Sequence, residues 1–392
     1  MPISDFTSKL LELEDVIIEN VQTTNTEIHT FLSMPRRPHT CPRCGTITEQ
    51  IHDYRTSVIK DIPSMGKMLF LHYRKRRYNC PCCNKHFYES FPLLPKHCRI
   101  TTRLSFYAIH LLRDRQNVRS VAATVGISVS SLFRRMNDVR YPKPKKLPRV
   151  LSIDEFKGNA GGQKFQAILT DAENHRLFDI LPNRSMVYIM QYLQEFKNKN
   201  DVKYVVMDMN QVYRDLMHSY FPNATIVIDK FHVVRYVTWA LENVRKRIQK
   251  QLHPDKRKYF KRSRRILLSH QNKLSEENLT ALEVMLQQSP DLATAYHLKE
   301  LFYKFMESKS RTEAARKLQF FILAAQSSQL PEFKACLTML GNWSKYILNA
   351  FDCSYTNGYT EGTNNAIKVI KRNAFGYRNF ENFRNRIFLS LT

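Results

Sequence analysis

No stretch of the sequence approaches the ~18 consecutive apolar residues that a membrane-spanning helix needs, so a membrane protein is not expected. The opening residues, MPISDFTSKL, lack a basic region followed by an apolar one, and no secretory signal is expected either. Internal repeats and low-complexity tracts are also missing, which excludes a repeat architecture. Acids are scarce beside bases: 35 Asp and Glu stand against 61 Lys and Arg, a formal net charge of +26. Such an imbalance opposes folding slightly through self-repulsion and usually reflects a polyanionic partner. Nucleic acid is the expected one. A chain of 392 residues, 43% hydrophobic and 11% aromatic, can fill two to four globular domains.

Six of the eight cysteines fall between residues 41 and 98, a distribution unlike a secreted disulfide frame, so a reducing, intracellular location is expected. Cys41-Pro-Arg-Cys44 and Cys80-Pro-Cys-Cys83 make two C-x2-C knuckles separated by 35 residues. Four thiolates in such turns suit tetrahedral Zn²⁺. Strands such as SVIKDIPSMG and KMLFLHYRKRRY are expected to fill the gap as a hairpin. Cys82 leaves the register of the second knuckle open, and His86 could replace one thiolate. Cys98, Cys336 and Cys353 are isolated and read as ordinary residues. Arg74, Lys75, Arg76 and Arg77, set among aromatics in HYRKRRY, suit phosphate contact; a solvated edge strand is the plainer reading.

Residues 1–98 are thus read as an N-terminal region with a zinc-binding domain, and 99–140 as a helix-turn-helix. In VRSVAATVGISVSSLFRRM, Ala122, Gly126 and Leu132 have the spacing of the small residue, turn glycine and core position of that motif. Its second helix, starting near Ser128, would expose Ser130, Ser131, Arg134 and Arg135. Residues 51–150 hold 21 Lys and Arg against 5 Asp and Glu, which favours duplex DNA as the ligand. Prolines 142, 144 and 148 make 141–149 a linker.

Beyond it the periodicity reads strand (VLSIDEF), strand (KFQAILTDA), strand (HRLFDIL), helix (MVYIMQYLQEF), strand (KYVVMD), helix (QVYRDLMHSYF), strand (ATIVID). That is the ribonuclease H-like order, in which the first and fourth strands are neighbours. Asp154 in the first strand would then lie near Asp208 at the end of the fourth, with Glu155 facing the other way. From about residue 231 to 349 only helical spacing remains. Glu361, among TNGYTEGTNN, heads a helix on which Asn365, Lys368 and Arg372 share its face at i+4, i+7 and i+11, while Ile367 and Ile370 can pack inward. Three acids gathered at one point repel unless a cation lies between them. Mg²⁺ prefers such oxygens, and two ions ~3.5–4 Å apart can activate an attacking oxygen and stabilise a leaving one. A set of solvated or capping acids is the alternative.

At these residues the sequence closely resembles transposases of the ISL3 insertion-sequence family, within the DDE superfamily. The resemblance spans nearly the whole chain: CPRCG and the second knuckle, the helix-turn-helix, SIDEF, VVMDMN, FPNATIVIDKFHVV and TNGYTEGTNNAIKVIKR. It implies an α/β, ribonuclease H-like catalytic domain (150–239 and 350–392) interrupted by an all-helical insertion (240–349). It implies a triad of Asp154, Asp208 and Glu361 holding Mg²⁺ or Mn²⁺, and structural Zn²⁺ on Cys41, Cys44, Cys80 and Cys83. Asp229 and His232, in DKFH, resemble a D-x2-H element of related transposases; His232 could orient the site or serve only a structural partner. Residues 235–265 carry 12 Lys and Arg against 2 Asp and Glu, so Arg245, Arg247, Lys261 and Arg264 are expected to contact DNA along with Lys368 and Arg372. The implied activity is binding of element ends, metal-dependent strand cleavage and strand transfer by a freed 3′-hydroxyl. A homodimer or higher oligomer on double-stranded DNA, bacterial, cytoplasmic and nucleoid-associated, is expected. A DNA-binding regulator without catalysis and a structure-selective nuclease of the same fold are the rivals.

Overall fold

The computed structural model describes residues 11–13, 15–95 and 97–392; within helices, the side chains at 256, 259, 261 and 262 are outside the description. It divides into two compact units, residues up to 141 together with 367–392, and residues 142–366. The segment 350–392, read from the sequence as one piece, is thus shared between them.

In the first unit, strands β1 (Ile17–Thr23), β2 (Glu27–Ser33), β5 (Ile51–Ser64), β6 (Lys67–Asn79) and β7 (His86–Tyr88) form a sheet, while β3 (His39–Thr40) pairs with β4 (Ile47–Thr48). The long β5–β6 hairpin fills the gap between the knuckles as expected. It turns at Met65 and Gly66, both with positive φ (53° and 74°), the two-residue geometry whose twist matches the strands. Leu69, Leu71 and Tyr73 alternate inward from β6 to a core completed by Leu32, Ile59 and Phe91.

Helices α1 (Thr102–Arg113), α2 (Val118–Thr124) and α3 (Val129–Asp138) follow, their first turns capped by Thr101, Asn117 and Ser128. Gly126 takes φ 68° in the α2–α3 turn, and a Cβ there would lie 2.8 Å from the Met68 sulfur, so the position needs glycine. Val121, Ala122, Leu132 and Met136 close a small core with Leu104 and Leu112.

The second unit is built on a five-stranded sheet. Its strands are β8 (Val150–Phe156), β9 (Gln166–Asp171), β10 (Arg176–Leu181), β11 (Tyr204–Met207) and β12 (Thr225–Ile228), ordered β10-β9-β8-β11-β12. The β8–β9 and β9–β10 pairings are antiparallel, and β8–β11 and β11–β12 are parallel. The first and fourth strands are neighbours, as the ribonuclease H-like order requires. Helices α4 (Met186–Gln194) and α5 (Gln211–Tyr220) make the crossovers.

The helical region then runs through α6 (Lys230–Gln251), α7 (Pro254–Arg262), α8 (Arg264–Leu268), α9 (Glu276–Leu286), α10 (Pro290–Met306), α11 (Arg311–Ser327) and α12 (Lys334–Asn349). Along α6, Val233, Val237, Leu241, Val244 and Ile248 form one buried stripe, which joins the sheet core to Phe302, Phe321 and Ile347 of the insertion. Helices α13 (Gly358–Asn373) and α14 (Phe380–Leu391) complete the chain. The unit boundary falls inside α13; α14 belongs to the first unit, where Leu389 enters the helix-turn-helix core and buried Arg386 donates to the Gln116 carbonyl at 2.8 Å.

Candidate active site and zinc centre

The two knuckles share one backbone plan. Gly45 N–H donates to the Cys41 carbonyl and Cys41 N–H to the Thr46 carbonyl, while Asn84 and Cys80 repeat the pattern with Cys80 and Lys85. The turns bring the sulfurs of Cys41, Cys44, Cys80 and Cys83 within 4.8 Å of one another, with 3.4 Å between Cys44 and Cys80 and 3.6 Å between Cys41 and Cys83. Ligands ~2.3 Å from a tetrahedral ion lie just under ~4 Å apart, so the set fits Zn²⁺. Hydrogen bonding to Thr46 draws the Cys44 thiol down to about 6, towards the thiolate that a metal takes. The open register resolves: Cys82 is exposed, and His86 stacks edge-on against His52.

In the second unit, the chain topology gathers the acids. The β8–β11 pairing runs to Ile153 opposite Met207, so Asp154 and Asp208 are the next residues on adjacent strands. Glu155 points away and pairs with Arg184 at 2.6 Å. Asp229 caps α6, accepting from Phe231 N–H at 2.9 Å, and places His232 in the first turn. The His232 Nδ1 approaches Asp208 Oδ1 at 2.9 Å and Glu361 Oε1 at 3.9 Å. The 2.9 Å contact is an ion pair outside hydrogen-bond alignment, and both of its atoms are buried without a hydrogen-bond partner.

Helix α13 lies on the sheet through polar groups. Ser152 donates to Asn357 at 2.5 Å, Thr360 donates to Ser152 at 3.0 Å, and Thr170 meets Thr360 at 2.7 Å, all buried. One turn on, the Asn364 amide donates to Asp154 Oδ2 at 2.7 Å, while the Glu155 N–H donates to Oδ1 at 2.7 Å. The Asn364 carbonyl oxygen is buried and unpartnered. Sequence reasoning missed Ser152, Thr170, Asn357, Thr360 and Asn364. Polar residues recurring at i, i+3 and i+7 mark one helix face, but a solvated face looks the same until the partners on the sheet are known.

Burial and the neighbouring Asp208 charge push the Asp154 carboxyl up to about 7. Burial also raises Asp229. Contact with Asp208 raises His232 above the usual histidine range, its own burial opposing. Asp208, Asp229 and His232 present ligand atoms within 4.8 Å of one another. Carboxylate oxygens and an imidazole nitrogen gathered this closely, beside a carboxyl held near neutrality by burial and its neighbour's charge, make a donor set that fits Mg²⁺ or Mn²⁺.

The basic residues divide. Ser130 and Arg134 are exposed on α3, whereas Arg135 is half-buried and pairs with Asp138 at 3.1 Å. Arg74 is exposed over the Tyr54 ring and Lys75 lies over Tyr88. Four expected DNA contacts need correction. Arg76 is buried, bonded to Glu89 and the Met34 carbonyl, and Arg77 pairs across the hairpin with Asp53 at 2.6 Å. Arg245 is 5% exposed, bound to Glu242 through two contacts of 2.8 Å and to the Phe260 carbonyl. Arg247 joins Glu332 to Asp291. Arg76 and Arg245 are withdrawn into the fold, whereas Arg77 and Arg247 stay partly exposed but are already paired with acids. Arg264, Lys368 and Arg372 are exposed, and the Lys261 side chain lies outside the described residues.

A ribonuclease H-like sheet with Asp154 and Asp208 on neighbouring strands and Glu361 of a late helix beside His232 fits the class of DDE-type transposases. The chain belongs to the ISL3 family: that family's transposase model matches residues 151–387. A model described as the zinc finger of IS204/IS1001/IS1096/IS1165 transposases matches 37–83, and the ISL3 helix-turn-helix model matches 89–140. The transposase for insertion sequence element IS1001 of Bordetella parapertussis is 28% identical over 353 residues, covering 88% of this chain and 86% of that protein. The transposase for IS1557 of Mycobacterium tuberculosis is 23% identical over 255 residues, 59% of this chain and 57% of its own length. A Lactococcus lactis protein named an ATP-dependent protease is 33% identical over 132 residues, 33% of this chain and 38% of that one. The chain is a DNA transposase with a divalent-metal site and a structural zinc centre.

Proposed function

We propose that Asp154, Asp208 and Glu361 are the acids that hold the catalytic Mg²⁺ or Mn²⁺, with Asp229 and His232 in support. The supporting observation is the approach of Glu361 and Asp208 to one imidazole while Asn364, three residues beyond Glu361, grips Asp154. The metal, when bound, supplies Lewis acidity at the scissile phosphate and lowers the pKa of water. The chain does the positioning. Asn364 and the Glu155 N–H orient Asp154; His232 balances the charge of Asp208; the polar contacts of Thr360 and Asn357 hold α13 in register with the sheet. Asp229, already engaged as a helix cap, fixes where His232 stands.

In this reading Ser130 and Arg134 of α3 read element ends, and Arg74, Lys75, Arg264, Lys368 and Arg372 contact phosphate on the end or target duplex. The protein acts as a homodimer or larger assembly on DNA, associated with the nucleoid. Its domains run as zinc-binding region (to 98), helix-turn-helix (99–140), linker (141–149), then the interrupted catalytic domain.

Glu361→Gln tests the acid assignment because it keeps size and removes charge. Cleavage of labelled element ends and strand transfer should both vanish while binding of the same DNA persists. Asp154→Asn and Asp208→Asn should match it, and Glu155→Gln should be far milder. Near-normal cutting by Glu361→Gln would return that residue to the surface.

A further inference from the structure

Helix α6 has two unlike faces. Opposite the buried stripe, Phe231, Arg235, Trp239, Asn243, Lys246 and Lys250 are all exposed, at i, i+4, i+8, i+12, i+15 and i+19. Large aromatics are seldom left in water, yet Phe231 is 58% and Trp239 49% exposed. The two halves of the line differ in chemistry: the half beginning beside His232 is aromatic, and the far half is cationic. Phe231 stands edge-on to the His232 ring at 5.7 Å. Trp239 is pre-positioned. Tyr236, itself packed against the core, meets it at 6.0 Å, and the Arg235 guanidinium lies 4.4 Å over its ring. Glu242, the acid in this stretch, is buried under Arg245, with Lys246 3.9 Å away. The face therefore presents π-surfaces and positive charge without an exposed carboxylate among the described residues of α6.

We propose that this face is a track for single-stranded DNA at the cleavage point. Phe231 and Trp239 stack unpaired bases next to the scissile phosphate, Arg235 clamps the stack, and Lys246 and Lys250 follow the backbone away from the site. Bases offer a π-face only when they leave the duplex, and aromatic side chains flanked by cations bind them with little regard to sequence. A duplex would meet Lys246 and Lys250 but would leave Trp239 nothing to stack on. The proposal rests on the assignment of the acids beside His232. It relocates the DNA contact of this basic stretch from Arg245 and Arg247, which are internally bonded, to the face that is open.

The test uses full-length protein with a labelled oligothymidine single strand, a duplex bearing the element end, and the same duplex carrying a mismatch beside the cleavage position. Trp239→Ala should weaken single-strand binding by about 5- to 160-fold, the worth of one stacked base. Affinity for the paired end should change less than about twofold, since α3 carries it, and Trp239→Phe should retain most of the single-strand affinity. Cutting of the paired end should slow in Trp239→Ala and recover on the mismatched end. Loss of the Lys246 and Lys250 contacts by joint charge reversal should flatten the salt dependence of single-strand binding by about 1.4 in log–log slope. Unchanged single-strand affinity in Trp239→Ala, or equal losses for single strand and duplex, overturns the track. Glu361→Gln separates the two claims: it should abolish cutting and leave single-strand affinity intact. If it cuts while Trp239→Ala still loses the single strand, the acid assignment fails and the track stands.

Discussion

Replacing Asp154 by Asn should inactivate the enzyme and, without metal, make it more stable at pH 8. Its carboxyl is held at about 7 by burial and by Asp208, against ~3.9 for an unrestrained aspartate. Between those values the folded protein keeps a proton that unfolding releases. Stability therefore falls as pH rises from about 4 to about 7 and stays low above. Three units at ~1.36 kcal/mol each give about 4 kcal/mol as the upper limit of this loss. Asparagine carries no charge to repel Asp208, so the loss should largely disappear. It also fits: Asn364, whose carbonyl oxygen has no partner, can turn its amide over and accept from the new NH₂. His232 and Asp229 are both raised as well and tilt stability the same way, so the variant should flatten the pH dependence and not abolish it. The assay is urea unfolding in buffer free of Mg²⁺ and Mn²⁺, with the zinc centre left loaded, at pH 5 and pH 8, for wild type and Asp154→Asn. Saturating Mg²⁺ at pH 8 should then stabilise the wild type far more than the variant. Equal stability of the two proteins at pH 8, with equal slopes between the two pH values, would refute the reasoning.

Other outcomes follow from the same geometry. Arg245→Ala should cost up to about 3 kcal/mol in urea melts, less than a wholly unpaired buried charge because Lys246 and Arg264 remain within 3.9 Å of Glu242, and joint replacement by Met and Leu should recover most of it. Metal analysis after desalting should find one zinc per chain, lost in Cys44→Ser and kept in Cys82→Ser; a zinc-free, fully active protein would contradict the centre. Arg134→Glu should remove preference for element ends in competition binding and leave salt-sensitive nonspecific binding. Arg135→Glu should be weaker, because Arg135 is already half-buried against Asp138.

Much of the site could be read along the chain because its logic is local. Alternation placed Asp154 inward and Glu155 outward, hydrophobic runs bounded by acids marked the ends of β8 and β11, and paired C-x2-C spacing located the zinc centre. What could not be read depended on partners far away in sequence. Arg245 and Arg134 look alike in composition, and only tertiary packing tells that one faces Glu242 and Phe260 while the other faces water. The seating of α13 failed for a related reason: Asn357 and Thr360 resemble loop residues until Ser152 and Thr170, about 200 positions earlier, are brought beside them. Nothing in the sequence marks Trp239 out, and its exposure is visible only once the opposite face of α6 is seen to be filled.

Helix α14 carries a consequence for how the protein comes into being on the ribosome. Arg386 closes on Gln116 across 270 residues, and Leu389 fills the core beneath α1 and α3. During synthesis the DNA reader emerges early with one wall missing, and the wall arrives only after Glu361 has been made. A frameshift or early stop anywhere before residue 380 thus removes a wall of the helix-turn-helix, even where it spares Glu361. Broken copies of the gene would then yield fragments whose helix-turn-helix core lacks Leu389 and is more open to proteolysis.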